Sequence, residues 1–122
     1  MESATLKSSL ELEHIGEVTL VRFREPELLD DESIQEMTAQ LYRLAEQPDC
    51  RHVVLNLDTV AKISTQMLGT FFNLHRKLKG VGGKLVVCRV DRGLQEIFNL
   101  MRLPHFVSLY NDEQEALQAF RR

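Results

Sequence analysis

RHVVLNLDTVAKISTQMLGTFFNLHRKLKGVGGKLVVC, residues 51–88, is the stretch whose reading decides the fold. Val53, Val54, Leu55 and Leu57 form a near-continuous apolar run, the pattern of a strand covered on both faces. Helical spacing then takes over at Met67, Leu68, Phe71, Phe72, His75 and Leu78. It stops at Gly80, and Gly82 and Gly83 precede a second apolar run from Leu85 to Cys88. Strand, helix and strand in that order make a βαβ unit with a right-handed crossover. The adjacent hydroxyls of Ser64 and Thr65 therefore fall at the carboxyl end of a strand and the start of a helix. Backbone N–H groups and the helix dipole there favour an added negative charge, so the pair points to a switch rather than a catalyst.

Upstream of this unit, Leu10 and Leu12 alternate with Ser9, Glu11 and Glu13, and Val18, Leu20 and Arg22 alternate with Thr19, Val21 and Phe23. With His14-Ile15-Gly16-Glu17 between them, the two runs read as a half-buried hairpin. Pro26 and an acidic loop interrupt the pattern. Asp30 or Asp31 can cap a helix that keeps Ile34, Met37, Leu41, Leu44 and Ala45 on one face, a capping box from Ser33 to Glu36 is a competing start, and Pro48-Asp49 ends the helix. Downstream, Leu94, Ile97, Phe98 and Met101 recur at helical spacing until Pro104. Phe106 to Tyr110 reads as a last short strand, and Asn111 caps a final helix, with Gln114 three residues on and Ala116, Leu117 and Phe120 on its inner side. The expected class is α/β: a mixed, mostly parallel sheet with an N-terminal antiparallel hairpin, packed by about four helices. One domain spans residues 1–122, a length whose 43% hydrophobic content can bury a core.

Several function classes find no support. A net charge of −3 gives no general reason for nucleic-acid binding. The charges are unevenly spread, with Glu25, Glu27, Asp30, Asp31, Glu32 and Glu36 in one cluster and Arg76, Lys77, Lys79 and Lys84 in another. No apolar run reaches membrane-spanning length, and the opening MESATLKSSLELE lacks a basic-then-apolar leader pattern, so the expected location is cytoplasmic, with no membrane insertion. Cys50 and Cys88 lack metal-type spacing and read as reduced and structural. His14, His52, His75 and His105 are scattered, no pair has the i, i+4 spacing of a helical metal site, and no metal is expected. His75 follows the apolar side of its helix, at the core's edge. No base lies near Thr65 in sequence, so it is not read as a nucleophile. The glycines at 80, 82 and 83 follow a helix and precede a strand, the wrong order for a phosphate loop, and are read as a helix cap and turn.

Taken together, the strand HVVLNL, the hydroxyl-bearing helix start, the strand GGKLVVC, the helix from Gly93 to Met101 and the closing EQEALQAF resemble the STAS domains, the anti-sigma-factor antagonists of bacterial partner switching. The family's turn reads Asp-Ser-Ser/Thr-Gly-Leu, and the residue phosphorylated is the hydroxyl right after the aspartate. Ser64, Thr65, Gln66, Met67 and Leu68 align with it, so the resemblance implies phosphorylation at Thr65. Ser64, standing where the family carries aspartate, comes second. Met67 stands where the family carries glycine.

The resemblance further implies a non-enzymatic regulator without a cofactor of its own. Its partner would be an anti-sigma factor with a histidine-kinase-like ATPase fold, which supplies the ATP, and a metal-dependent serine/threonine phosphatase would reverse the step. The expected docking surface takes in Asp30, Asp31, Ser64, Thr65, Gln66, Met67 and Gly69, because both segments leave strand ends on one edge of the sheet. Other STAS proteins act without phosphorylation as scaffolds in signalling assemblies or as accessory subunits of lipid-transport ABC systems. A two-component receiver, with Asp58 after the central strand and Asp30-Asp31 as its acidic pocket, is a more distant alternative.

Overall fold

The structure is a computed structural model and describes residues 9–120; the leaderless reading of the first residues and part of the 1–122 span lie outside them. Strands β1 (Leu10–Ile15) and β2 (Val18–Phe23) pair antiparallel from Leu10↔Phe23 to Ile15↔Val18. Only Gly16 and Glu17 are left for the turn, and Gly16 takes φ +62. A positive φ at the first central residue alone is the signature of a type II′ turn, whose twist suits a hairpin. The half-buried expectation fails in opposite ways on the two strands: β1 is an edge strand that buries Leu10 alone, with Leu12 exposed, whereas β2 is buried almost throughout. Val18 to Val21 are all buried, because β2 pairs in parallel on its other side with β4 (His52–Asn56). Along that pairing Val18 meets His52 and Arg22 meets Asn56.

Strands β6 (Lys84–Cys88) and β7 (Ser108–Tyr110) complete a five-stranded sheet of order β1-β2-β4-β6-β7, parallel from β2 onward. Alternate residues of β4 and β6 serve opposite layers. Val53, Leu55, Leu85 and Val87 pack with Ile34, Met37 and Leu41 of helix α1 (Asp31–Ala45), Phe71, Leu74 and Leu78 of α2 (Thr65–Gly80), and Leu94 and Phe98 of α3 (Arg92–Leu100). Val54, Val86 and Cys88, with Val18 and Leu20, face a smaller cluster closed by Ala116 of α4 (Glu113–Gln118), with Tyr110, Leu117 and Phe120 against it.

Helix ends show where local chemistry overrode pattern. Asp30 is the cap of α1, its carboxylate accepting the Ser33 N–H at 2.9 Å, so the Ser33 start loses. The helix stops at Ala45, ahead of Pro48. α2 closes in a Schellman arrangement: Gly82, at φ +79, donates to the Lys79 carbonyl, and Gly83 donates to that of Leu78. α3 runs a residue earlier than expected at each end and terminates on Arg102 at φ +60. Phe106 is not in the last strand. It follows a 3-10 turn at Leu103–His105 built on Pro104, and β7 begins at Ser108. The cap of α4 is Asp112 instead of Asn111: it accepts from the Glu115 N–H at 2.9 Å, while the Glu115 side chain takes the Asn111 N–H at 3.0 Å. Glu115 reaches back where Gln114 was expected, a shift of one residue that follows from the aspartate being the stronger acceptor.

Candidate functional site

A second, very small sheet brings the candidate residues together. β3 (Glu27–Leu28) and β5 (Lys62–Ile63) pair in parallel, Leu28 opposite Ile63, with the Ser64 N–H donating to the Leu28 carbonyl at 3.0 Å. Each strand runs at once into a helix: Leu28 leads to Asp30 and α1, Ile63 to Ser64 and α2. Two helix starts are thereby held side by side. Leu28 and Ile63 are buried beneath them, which gives this two-residue ladder its anchorage. The sequence did not reveal it, since two-residue strands carry no periodicity to read.

The hydroxyl pair divides its work. Ser64, half-buried, caps α2 by accepting the Met67 N–H on its Oγ at 3.1 Å. Thr65 is the first helical residue and is exposed, as are Gln66 and Gly69 one turn on. Gly69 has no atom within 4 Å of where a β-carbon would stand. Met67, counted among the docking residues, is fully buried at 0% exposure and packs with Phe71 and Leu74 in the core. It therefore supports the turn from beneath and presents nothing to a partner. Across the ladder Asp30 and Asp31 are exposed, and the hydrogen bonds from Ser33 hold the Asp30 carboxyl below its ordinary value. The adjoining α1 and α2 are bridged by the hydroxyls of Thr38 and Thr70, 2.8 Å apart.

Elsewhere the polar groups are structural. Arg22 grips Glu113 through two N–H donors at 2.7 and 2.9 Å and also reaches Glu13 at 3.0 Å. The Arg22 guanidinium, foremost, and the Asn56 amide keep the Glu113 carboxyl below its ordinary value. Burial pushes the Cys88 thiol up to about 12, and Cys50, also raised by burial, receives a hydrogen bond from Thr19 at 3.6 Å. His52 stacks on Phe120 with centroids 4.4 Å apart, and His75 sits at the edge of the core beside Phe72 and Phe106. Burial lowers both histidines. Among the described residues no group of three or more His, Cys, Asp or Glu side chains could hold a metal ion, and no helix is long and apolar enough to cross a membrane.

A family model for the STAS domain matches residues 9–116. The chain belongs to the STAS domain family. This displaces the receiver-like alternative. Among solved structures, an anti-sigma factor antagonist from Mycobacterium paratuberculosis superposes with a TM-score of 0.80 at 18% identity, covering 93% of this chain and 93% of that one. The Bacillus cell fate determinant SpoIIAA in its phosphorylated form gives a TM-score of 0.73 at 18% identity, over 92% and 99% of the two chains. The murine anion transporter Slc26a9 matches with a TM-score of 0.70 at 8% identity, covering 87% of this chain but 18% of the transporter. At these identities the likeness speaks for the fold.

Proposed function

We propose that this STAS protein is a non-enzymatic, cytoplasmic, single-domain regulator that docks a kinase-type anti-sigma factor over the paired starts of α1 and α2, and that Thr65 is the residue phosphorylated. The observation that carries this reading is the division between the hydroxyls. Ser64 is spent on the helix cap, whereas Thr65 stands exposed in the first turn of α2, the helix start that the β3–β5 ladder pairs with the Asp30-capped start of α1. Phosphate at Thr65 would bring about −1.5 to −2 charges to a helix start whose N–H groups accommodate an anion without disturbing the core. A docked partner would feel both the charge and the bulk, beside two carboxylates that already repel anions. The kinase brings the ATP, and a metal-dependent serine/threonine phosphatase resets the switch.

The test is intact-mass analysis after incubation with the cognate kinase and ATP, on the wild type and on Thr65→Ala. A single added phosphate that Thr65→Ala abolishes supports the reading, and phosphate persisting on Thr65→Ala overturns it. A second reading, a scaffold or lipid-transport accessory subunit that is never phosphorylated, is favoured by one specific observation: Ser64 stands where the phosphorylated members carry aspartate. It expects partner binding that Thr65→Glu leaves unchanged.

A further inference from the structure

Among the described residues, two that are not glycine adopt the left-handed region, Arg89 and Arg102, both at φ +60. Arg102 follows the last turn of α3, where a left-handed residue is the ordinary way for a helix to stop. Arg89 has no such excuse. It directly follows β6, where its N–H donates to the Tyr110 carbonyl at 3.3 Å, and glycine would adopt that backbone without steric cost. Its side chain donates to Asp58 Oδ1 from Nη2 at 3.1 Å and from Nε at 3.3 Å. Both partners are about half exposed, 49% and 61%, so the pair by itself adds little to folding stability. A strained residue kept for a weak surface pair asks what the pair holds.

Asp58 stands at the head of the connection from β4 to β5, and its own N–H is taken by Asn56 Oδ1 at 2.8 Å. It is the second residue of a turn in which the Val60 N–H donates to the Leu57 carbonyl at 3.0 Å, and from there the chain runs through Lys62 and Ile63 to Ser64. The geometry points to Arg89 as a positioning residue for the Thr65 surface: by fixing Asp58 it orders the short segment that delivers Ser64 and Thr65 to the helix start. The inference rests on the Thr65 reading proposed above, but its first test does not.

Amide hydrogen exchange and thermal melting of the whole protein are to be measured for the wild type, Arg89→Gly, Asp58→Ala and the double variant. Arg89→Gly should melt at the same temperature or higher, since glycine relieves the strain, while amides 59–66 exchange up to about fivefold faster, the scale of one surface pair. Asp58→Ala should speed the same amides, and the double variant should add nothing, because both changes break one contact. Unchanged exchange over 59–66, or acceleration spread evenly over the chain, overturns the proposal. In a second arm the cognate kinase should phosphorylate Arg89→Gly more slowly than the wild type, and an equal rate counts against the positioning role. Absence of phosphate on the wild type refutes the Thr65 reading, and the exchange result still decides the ordering role of Arg89.

Discussion

Replacing Ser64 with alanine removes the acceptor that the Met67 N–H uses, and such a cap is worth about 1 kcal/mol. Thr65→Ala touches an exposed side chain away from the cap and should stay within roughly 0.5 kcal/mol. Urea unfolding of the two variants separates them, and equal losses would mean that the hydroxyls share the cap. Gly69 gives the complementary case. A glycine inside a helix costs about 0.5–1 kcal/mol relative to alanine, yet the space around Gly69 would admit a β-carbon freely. Gly69→Ala should therefore stabilise the free protein by that amount. If the exposed face of α2 is where a partner's backbone comes close, as proposed, the same change weakens docking, which titration calorimetry with the cognate kinase would measure; binding as tight as the wild type's removes Gly69 from the surface.

At the scale of elements, the glycines at and just beyond the end of α2 differ in what they permit. A β-carbon on Gly83 would overlap the Arg51 carbonyl, whereas Gly80 faces open space. Gly83→Ala should cost roughly 1–3 kcal/mol through the forced shift, and Gly80→Ala should gain up to about 1 kcal/mol, both read from chemical unfolding. The long elements were legible in the sequence because burial on one or both faces imposes a period. Ile34, Met37, Leu41 and Leu44 marked α1, and Val53 to Leu57 marked a doubly covered strand. What escaped the sequence had no period to give. The two-residue β3–β5 ladder is set by where the Pro26 and Leu28 carbonyls find N–H donors: Ala61 and Lys62 both donate to the Pro26 carbonyl, and Ser64 donates to that of Leu28. The Arg89–Asp58 and Arg22–Glu113 pairs join residues 31 and 91 positions apart. Sheet-edge reasoning expected the segments bearing Asp30 and Thr65 on one edge of the main sheet, whereas the strands that lead into their helices pair in a ladder outside that sheet. Met67 inside the core followed from helical spacing all along, its four-residue step to Phe71 putting both on one face.

For the molecule as a whole, pH enters through groups whose burial or pairing differs between folded and unfolded chains. His52 and His75 are lowered by burial, so below the ordinary histidine value of 6.5 the unfolded chain accepts protons that the fold resists. Stability present above that value is lost as pH falls through it. Glu113, held low by Arg22, adds stability above the ordinary carboxylate value of 4.5 that disappears at lower pH. Thermal melts should thus fall in two steps on acidification, and His75→Gln should shrink only the upper one; a flat profile from neutrality to pH 5 would falsify the histidine contribution. The layering also bears on how the protein is made. One face of the sheet is covered by the three helices that alternate with its strands, but the other waits for α4, the last described element in chain order. A chain folding as it leaves the ribosome would show Val18, Leu20, Val54 and Val86 to the cytosol until Ala116 arrives, a greasy nascent surface suited to holding by a chaperone.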